Sequence, residues 1–476
     1  MVSALALVLF APAPVINVVT PVGAFPQKLG RHNRVVVYFG RGEEEPRFGP
    51  DWFNPKPTLS VRPSGVKAGQ TITLTEANIT SFPRKLADIE PGEYNVQAVV
   101  DLNLGGRTIG ASPGNLYSKP VRIKFPLAKP LTLRCNQRVP EPTFRSTPRT
   151  QEVAVVSSLL TRFYGRRTML RAAVNLPGAY AQNIGPKFPV IYEVPGFGGN
   201  HYSWSNKKTA ADLVGGKPFI RVVLNPDCPT GHSVFADSAV NGPWGEALTT
   251  ELIPAIERRF RALGTPQGRL LRGHSSGGWS TLWLQVNYPS FFGGTWSTSP
   301  DPVDFRDFQR MNIYRPNENA FVDSEGKPRP LARQGDSVLV NYQPFNDMER
   351  PIRGEQLGSF HAVFGVKDKN GDPIPLWNPL TGAIDAAVAE QWKKYDIGLI
   401  LRRDWPKLER RLSGKIHVYM GTEDTFYLEG ATRLLQSDLR RMKAKATVEL
   451  FPGDHGSVMT PELISRIERE MAAVVP

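Results

Sequence analysis

The stretch Arg269-Leu270-Leu271-Arg272-Gly273-His274-Ser275-Ser276-Gly277-Gly278-Trp279 decides how this chain is read. Its first residues, RLLR, are a short strand-like run, and GWSTLWLQV beyond the turn is apolar enough for a buried helix. Between them Gly273-His274-Ser275-Ser276-Gly277 fits a G-x-S-x-G elbow, which lifts the central serine out of a strained turn above a sheet. Side chains in place of the flanking glycines would clash in so tight a turn. The strand–turn–helix setting gives the five-residue pattern its weight.

Outward from the elbow, short apolar runs of the buried parallel-strand type recur: FPVIYEV, FIRVVLN, RLLRG, GGTWSTS, KIHVYMG and ATVELF. Before the elbow, ALTTELIPAIERRFRAL carries Leu248, Leu252, Ile256, Phe260 and Leu263 at helical spacing, one apolar face of a helix. Alternating β and α elements predict an α/β fold, a doubly wound and mostly parallel sheet over residues 151–476. Such sheets place their chemistry at the carboxyl ends of the strands. A hundred-residue separation, 301–406, precedes the strand KIHVYMG. Its aromatic and turn content predicts an ordered cap insertion.

Upstream the pattern differs. RVVVYF, TITLTEA, YNVQAVVDL and VRIKF are β-rich runs separated by turn clusters, so residues 1–128 read as a β-sandwich accessory domain. The Pro-, Thr- and Arg-rich stretch 129–150 reads as a linker, and the downstream segment is expected to fold and act without residues 1–128. The opening run MVSALALVLFAPAPVINVV resembles a secretory signal without basic residues, or else a first strand. A secreted or periplasmic protein is expected on the first reading, a cytoplasmic one otherwise. No later apolar run is long enough to span a bilayer.

The chain has 476 residues, 40% of them hydrophobic and 21% charged, as in soluble globular proteins. Its net charge of +14 is scattered and accompanied by no nucleic-acid motif, so it reads as surface character rather than a nucleic-acid site. Two cysteines, Cys135 and Cys228, exclude a disulfide scaffold and a C-x-x-C metal site; they form one bridge or stay as two free thiols. Asp368, Asn370 and Asp372 sketch a calcium loop, but the glycine is misplaced and no acid closes it, so an Asn-Gly turn is expected.

A serine hydroxyl needs a base, and the base an orienting acid. On this fold the partners follow in the order Ser, acid, His. KIHVYMGTEDTF ends a strand with Glu423 and Asp424, and VELFPGDHGSV ends another with His455. His417 precedes the acid and violates the order. Asp424, four residues into its loop, is the chosen acid with Glu423 as alternative, while Asp454 is expected to shape the turn beside His455. The oxyanion of an acyl-transfer site needs hydrogen-bond donors. The backbone N–H of Ser276 is one, and the loop Pro195-Gly196-Phe197-Gly198-Gly199 supplies the other from Phe197 or, next, Gly198. Ser276 is the rival nucleophile. His274 and His201 read as packing or substrate-positioning residues, and Trp244 and Trp279 as pocket-lining or core residues.

Together VIYEVPGFGG, NGPWG, ELIPAIERRF, GHSSGGW, GTEDTF and PGDHG resemble the esterase D-like branch of the α/β-hydrolase superfamily, over residues 151–476. The resemblance implies a Ser275–Asp424–His455 triad, Phe197 and Ser276 amides as the oxyanion hole, and no metal or organic cofactor. Two departures stand out: Pro195-Gly196 where many relatives have His-Gly, and the long insertion before the acid. The expected activity is hydrolysis of a small-molecule or polymer-linked carboxylic ester through an acyl-serine intermediate. An acyltransferase with the same triad, or a binding protein on a hydrolase scaffold, is the alternative.

Overall fold

The computed structural model describes residues 13–181 and 185–475. Residues 1–12, which hold most of the signal-like run, lie outside them, and Ile16–Val19 is a strand. The chain divides into two compact units, Met1–Pro142 with Pro344–Glu355, and Thr143–Gln343 with Gln356–Pro476.

The first unit is built on two sheets. Ile16–Val19 pairs antiparallel with Thr71–Leu74 and parallel with Leu131–Arg134. The second sheet is antiparallel, with Gly92–Asp101 pairing to Arg34–Gly40 on one side and to Leu116–Tyr117 and Val121–Phe125 on the other. Alternation along RVVVYF explains its burial. Val35, Val37 and Phe39 join Ile16, Val18, Leu74 and Leu133 of the other sheet in one core. Val36 and Tyr38 face the opposite way and pack with Val99, Ile109 and Ile352.

Two sequence expectations are corrected here. Within the expected linker 129–150, Leu131–Arg134 and Gln137–Arg138 are strands of the first unit, because Leu133 and Cys135 complete its core. The expected insertion 301–406 is not of one piece either, since Pro344–Glu355 packs into the first unit. There Phe345 meets Trp52 edge-on, with ring centroids 5.1 Å apart, and Arg353 grips Asp101 through two bonds of 2.6 and 2.8 Å. A deletion of residues 1–128 would therefore uncover apolar side chains of this returning segment. Burial alone would raise the pKa of Asp101, but the Arg353 charge and hydrogen bonds hold it below the usual carboxylate range. Arg353→Ala would strand a fully buried carboxylate. We expect it to destabilise the first unit by about 3 to 5 kcal/mol, read as a lower midpoint in urea melts.

The second unit carries one eight-stranded sheet: β1 (Thr150–Val156), β2 (Met169–Asn175), β3 (Val190–Val194), β4 (Ile220–Leu224), β5 (Arg269–His274), β6 (Gly294–Thr298), β7 (Ile416–Gly421) and β8 (Thr447–Phe451). Its spatial order is β1-β2-β4-β3-β5-β6-β7-β8, antiparallel around β2 and parallel from β4 to β8. This is the mostly parallel sheet expected. Val190, Tyr192 and Leu271 face one core with Leu248, Leu252, Ile256 and Leu284. Ile191, Leu270, Trp296 and Tyr419 face the other with Ile467 and Met471 of the C-terminal helix Pro461–Val474. Burial on both faces is why these strands read as unbroken apolar runs.

The amphipathic helix before the elbow starts earlier than its pattern predicts, with Trp244–Ala247, and ends at Arg259 rather than Leu263. A π turn, Leu248–Leu252, runs into Ile253–Arg259, and Phe260 is already extended. Pro254, which has no N–H to donate back into the helix, lies two residues past the π turn. The insertion after β6 holds a hairpin, Pro330–Gln334 with Ser337–Asn341, and four helices: Tyr342–Glu349, Gln356–Phe364, Ala386–Trp392 and Ile397–Leu412. Asp368–Asp372 closes as a turn around the Asp368 carboxylate, with Gly371 at φ +86°. No helix among the described residues is long and apolar enough to cross a membrane. Cys135 and Cys228 are both free and buried.

Candidate active site

β5 ends at His274, and the helix α1 (Ser276–Asn287) begins two residues later. Ser275 between them has φ +59° and ψ −128°, a conformation that non-glycine residues rarely adopt and that surrounding structure must hold. The amide of Ser275 donates to the Thr298 carbonyl at 3.0 Å, and its carbonyl accepts from Trp279 and Asp301 at 3.0 and 3.3 Å. The elbow glycines are fixed by contact. A Cβ on Gly277 would lie 1.9 Å from the Val194 carbonyl oxygen, and one on Gly273 would lie 2.1 Å from the Gly277 oxygen.

The loop after β3 lies against this serine. A Cβ on Gly196 would stand 3.3 Å from the Ser275 Cβ. The Gly199 amide closes on the Gly196 carbonyl at 3.0 Å, with Gly198 at φ +84°, the position where a type II turn needs glycine. That turn carries Phe197 and Gly198 past the elbow. His232 holds the loop from behind, its Nδ1 accepting from the Val234 amide and its Nε2 bonding to the Pro195 carbonyl at 2.9 Å. Because Nδ1 accepts, the ring proton sits on Nε2 and donates to the loop.

β7 and β8 deliver the remaining pair. Asp424 is fully buried, and its Oδ2 meets His455 Nδ1 at 2.7 Å while Oδ1 accepts from the Phe426 amide at 2.8 Å. Arg333 donates to the Asp424 carbonyl, and Tyr427 at φ +57° completes the turn. Burial by itself would lower the pKa of His455. The hydrogen bond and charge of Asp424, with Asp301 and Asp454 behind it, outweigh burial and hold the ring above the usual histidine value. Phe426 stands edge-on to the imidazole at 5.0 Å, and His274 lies tilted against it at 4.7 Å. Burial, then the neighbouring His455 charge, pushes His274 down to about 4, so it is neutral at physiological pH. A loop carboxylate fixing one ring nitrogen while the other stays available is the arrangement a general base requires.

Other sequence candidates fall elsewhere. Glu423 is exposed. Asp454 accepts from the Gly456 and Ser457 amides and so shapes the turn. His417 stacks on Trp296 at 4.5 Å within the sheet, and His201 is buried against Glu152. Trp244 and Trp279 are core residues. The former donates to the Asn241 carbonyl beside Phe235, and the latter stacks on Trp283 with no exposed surface. Among the described residues no group of three or more His, Cys, Asp or Glu could hold a metal ion.

The profile of the family described as "Putative esterase" matches residues 167–460, more than half of the chain and the whole span from β2 to the end of the His455 loop. The chain belongs to that family. Esterase Rv1288 of Mycobacterium tuberculosis strain H37Rv is 27% identical over 208 residues, 42% of this chain and 43% of that protein. The chain thus spans less than half the length of the curated relative it matches. Among solved structures, the fluorophosphonate-binding serine hydrolase FphF of Staphylococcus aureus is 13% identical with a TM-score of 0.42, covering 68% of this chain and 97% of that one. An S-formylglutathione hydrolase from Agrobacterium tumefaciens is 14% identical with a TM-score of 0.38, covering 68% and 93%.

Three polar residues of this esterase-family chain escaped the sequence reading: His232, Asp301 and Gln356. Asp301 Oδ2 accepts from Ser276 Oγ at 2.6 Å, and Gln356 Nε2 lies 3.4 Å from both. Asp301 had a usable signal, since it follows the predicted strand GGTWSTS at the carboxyl end where such sheets place chemistry. Gln356 and His232 had none, because each reaches the site from a connection of irregular length.

Proposed function

We propose that this protein is a serine carboxylic-ester hydrolase working through an acyl-serine intermediate. The observation that carries the reading is the buried Asp424–His455 pair at the ends of β7 and β8, in a chain whose β5 ends in a serine elbow. Ser275 Oγ attacks the ester carbonyl and passes its proton to His455 Nε2. Asp424 holds the proton on Nδ1 and stabilises the imidazolium. Amides of Phe197 and Ser276 receive the developing oxyanion, helped by their place at a tight turn and at the first residue of α1. His455 returns the proton to the leaving alcohol. A water then repeats the attack on the acyl-enzyme, with His455 again as base, and releases the acid.

The insertion after β6 serves as a cap that shapes the substrate site, and the first unit serves as a β-sandwich accessory module. A small-molecule or polymer-linked ester is the substrate, and a secreted or periplasmic site of action belongs to the same proposal. An activity-based fluorophosphonate should label the wild-type protein on Ser275, and p-nitrophenyl esters of graded chain length should be hydrolysed. Absence of both labelling and turnover would sink the proposal in favour of a binding role. Transfer of the acyl group to added alcohols in preference to water would make the enzyme an acyltransferase instead.

A further inference from the structure

The last residue of β6 and the chain just beyond it are tied to the elbow at three points. The Ser275 amide donates to the Thr298 carbonyl, the Asp301 amide donates back to the Ser275 carbonyl, and Ser276 Oγ donates to Asp301 Oδ2 at 2.6 Å. Asp301 lies between Pro300 and Pro302, which restrict the backbone on either side. Space is tight there as well, since a Cβ on Gly278 of α1 would stand 2.8 Å from the Thr298 carbonyl oxygen and 3.2 Å from the Pro300 Cα. The Asp301 carboxylate is buried, and its side-chain neighbours are the Ser276 hydroxyl and the Gln356 amide. Gln356 is the first residue of the helix α2 (Gln356–Phe364), so the insertion reaches this same point.

A carboxylate buried with hydroxyl and amide partners is costly unless a charge compensates it. Ser299, two residues before Asp301, donates its hydroxyl to the His455 carbonyl at 3.2 Å, and the protonated His455 ring is the charge that compensates Asp301; that imidazole also faces Asp424 from the β7 loop, Asp454 from its own loop and His274 from β5. We propose that Asp301 is a second acid of the site, a positioning residue that tethers Ser276 at the oxyanion hole and supplies negative charge to the protonated His455. It rests on the serine-esterase reading above. Asp424 fixes the ring by direct contact, whereas Asp301 acts through Ser276 and across space. Burial pushes the Asp301 carboxyl up to about 6 against the Ser276 bond and the His455 charge, so ionised His455 and ionised Asp301 favour each other.

The two contributions separate by substitution. Asp301→Asn removes the charge and keeps an acceptor for Ser276. It should lower kcat roughly tenfold at nearly unchanged KM. The His455 midpoint should fall by on the order of half a pH unit, both in the kcat/KM profile and in NMR titration of its ring protons. Ser276→Ala removes the tether and keeps the charge. It should lower kcat to a similar degree and leave the His455 midpoint at the wild-type value. Wild-type kcat and an unshifted midpoint in Asp301→Asn overturn the proposal. Should that variant fail to fold, Ser276→Ala decides the matter, and wild-type kcat there overturns it. Fluorophosphonate labelling of the wild type tests the serine-esterase reading separately. The NMR titration needs no turnover, so a shifted midpoint without labelling would uphold the charge role of Asp301 and sink only the reaction.

Discussion

Replacing Ser275 with alanine is expected to abolish ester hydrolysis, with turnover falling on the order of 10⁶-fold. What survives is binding and the oxyanion hole, which lack a nucleophile to act on. The fold should persist, because the elbow is held by backbone bonds to Thr298, Trp279 and Asp301 rather than by the hydroxyl. Alanine inherits the strain of φ +59°, and glycine does not. Ser275→Gly should therefore be as inactive as Ser275→Ala yet more stable, by about 1 kcal/mol in denaturant melts. This pairing separates a chemical role for the side chain from a structural one. Near-wild-type turnover in Ser275→Ala, with the loss appearing in Ser276→Ala, would move the nucleophile by one residue.

His455→Ala should cost nearly as much as loss of the serine, because the hydroxyl then has no acceptor for its proton. The wild-type pH profile carries the same residue's signature. On the proposed mechanism catalysis needs neutral His455, and Asp424 stabilises the protonated ring. Hydrolysis should therefore rise with pH through a midpoint above 6.5, the ordinary histidine value. Asp424→Asn takes away the carboxylate that outweighs burial. Its limb should move to lower pH while its plateau falls by about 10⁴-fold, since the amide no longer enforces the tautomer. His274 does not blur the measurement, as it stays neutral across that range. A midpoint that ignores Asp424→Asn, or greater damage from Glu423→Gln, would displace Asp424 as the orienting acid.

Much of the second unit's sheet and of its serine elbow was legible in the sequence, and for a local reason. Strands buried on both faces are largely apolar, so β3 to β7 announce themselves as short runs such as VIYEV and IHVYMG. An elbow that leaves no room for a Cβ must be written in glycine, so Gly273 and Gly277 mark Ser275 from both sides. Strand-end loops keep their chemistry close in sequence to the strand that carries it, which is why Asp424 and His455 could be named in order.

Tertiary structure decided what depends on groups distant in sequence. It separated Asp424 from Glu423, since neighbours on a turn differ only in which one points inward. It sent Trp244 and Trp279 into the core, because an aromatic beside a motif fits a pocket or a hydrophobic cluster equally well by sequence. It also joined Pro344–Glu355 to the first unit through Arg353 and Asp101, 252 residues apart, and set Asp301 against Ser276. Periodicity reports the face a residue shares with its near neighbours. A buried ion pair or carboxylate is specified by the partner that compensates its desolvation, and only the folded chain brings that partner into place.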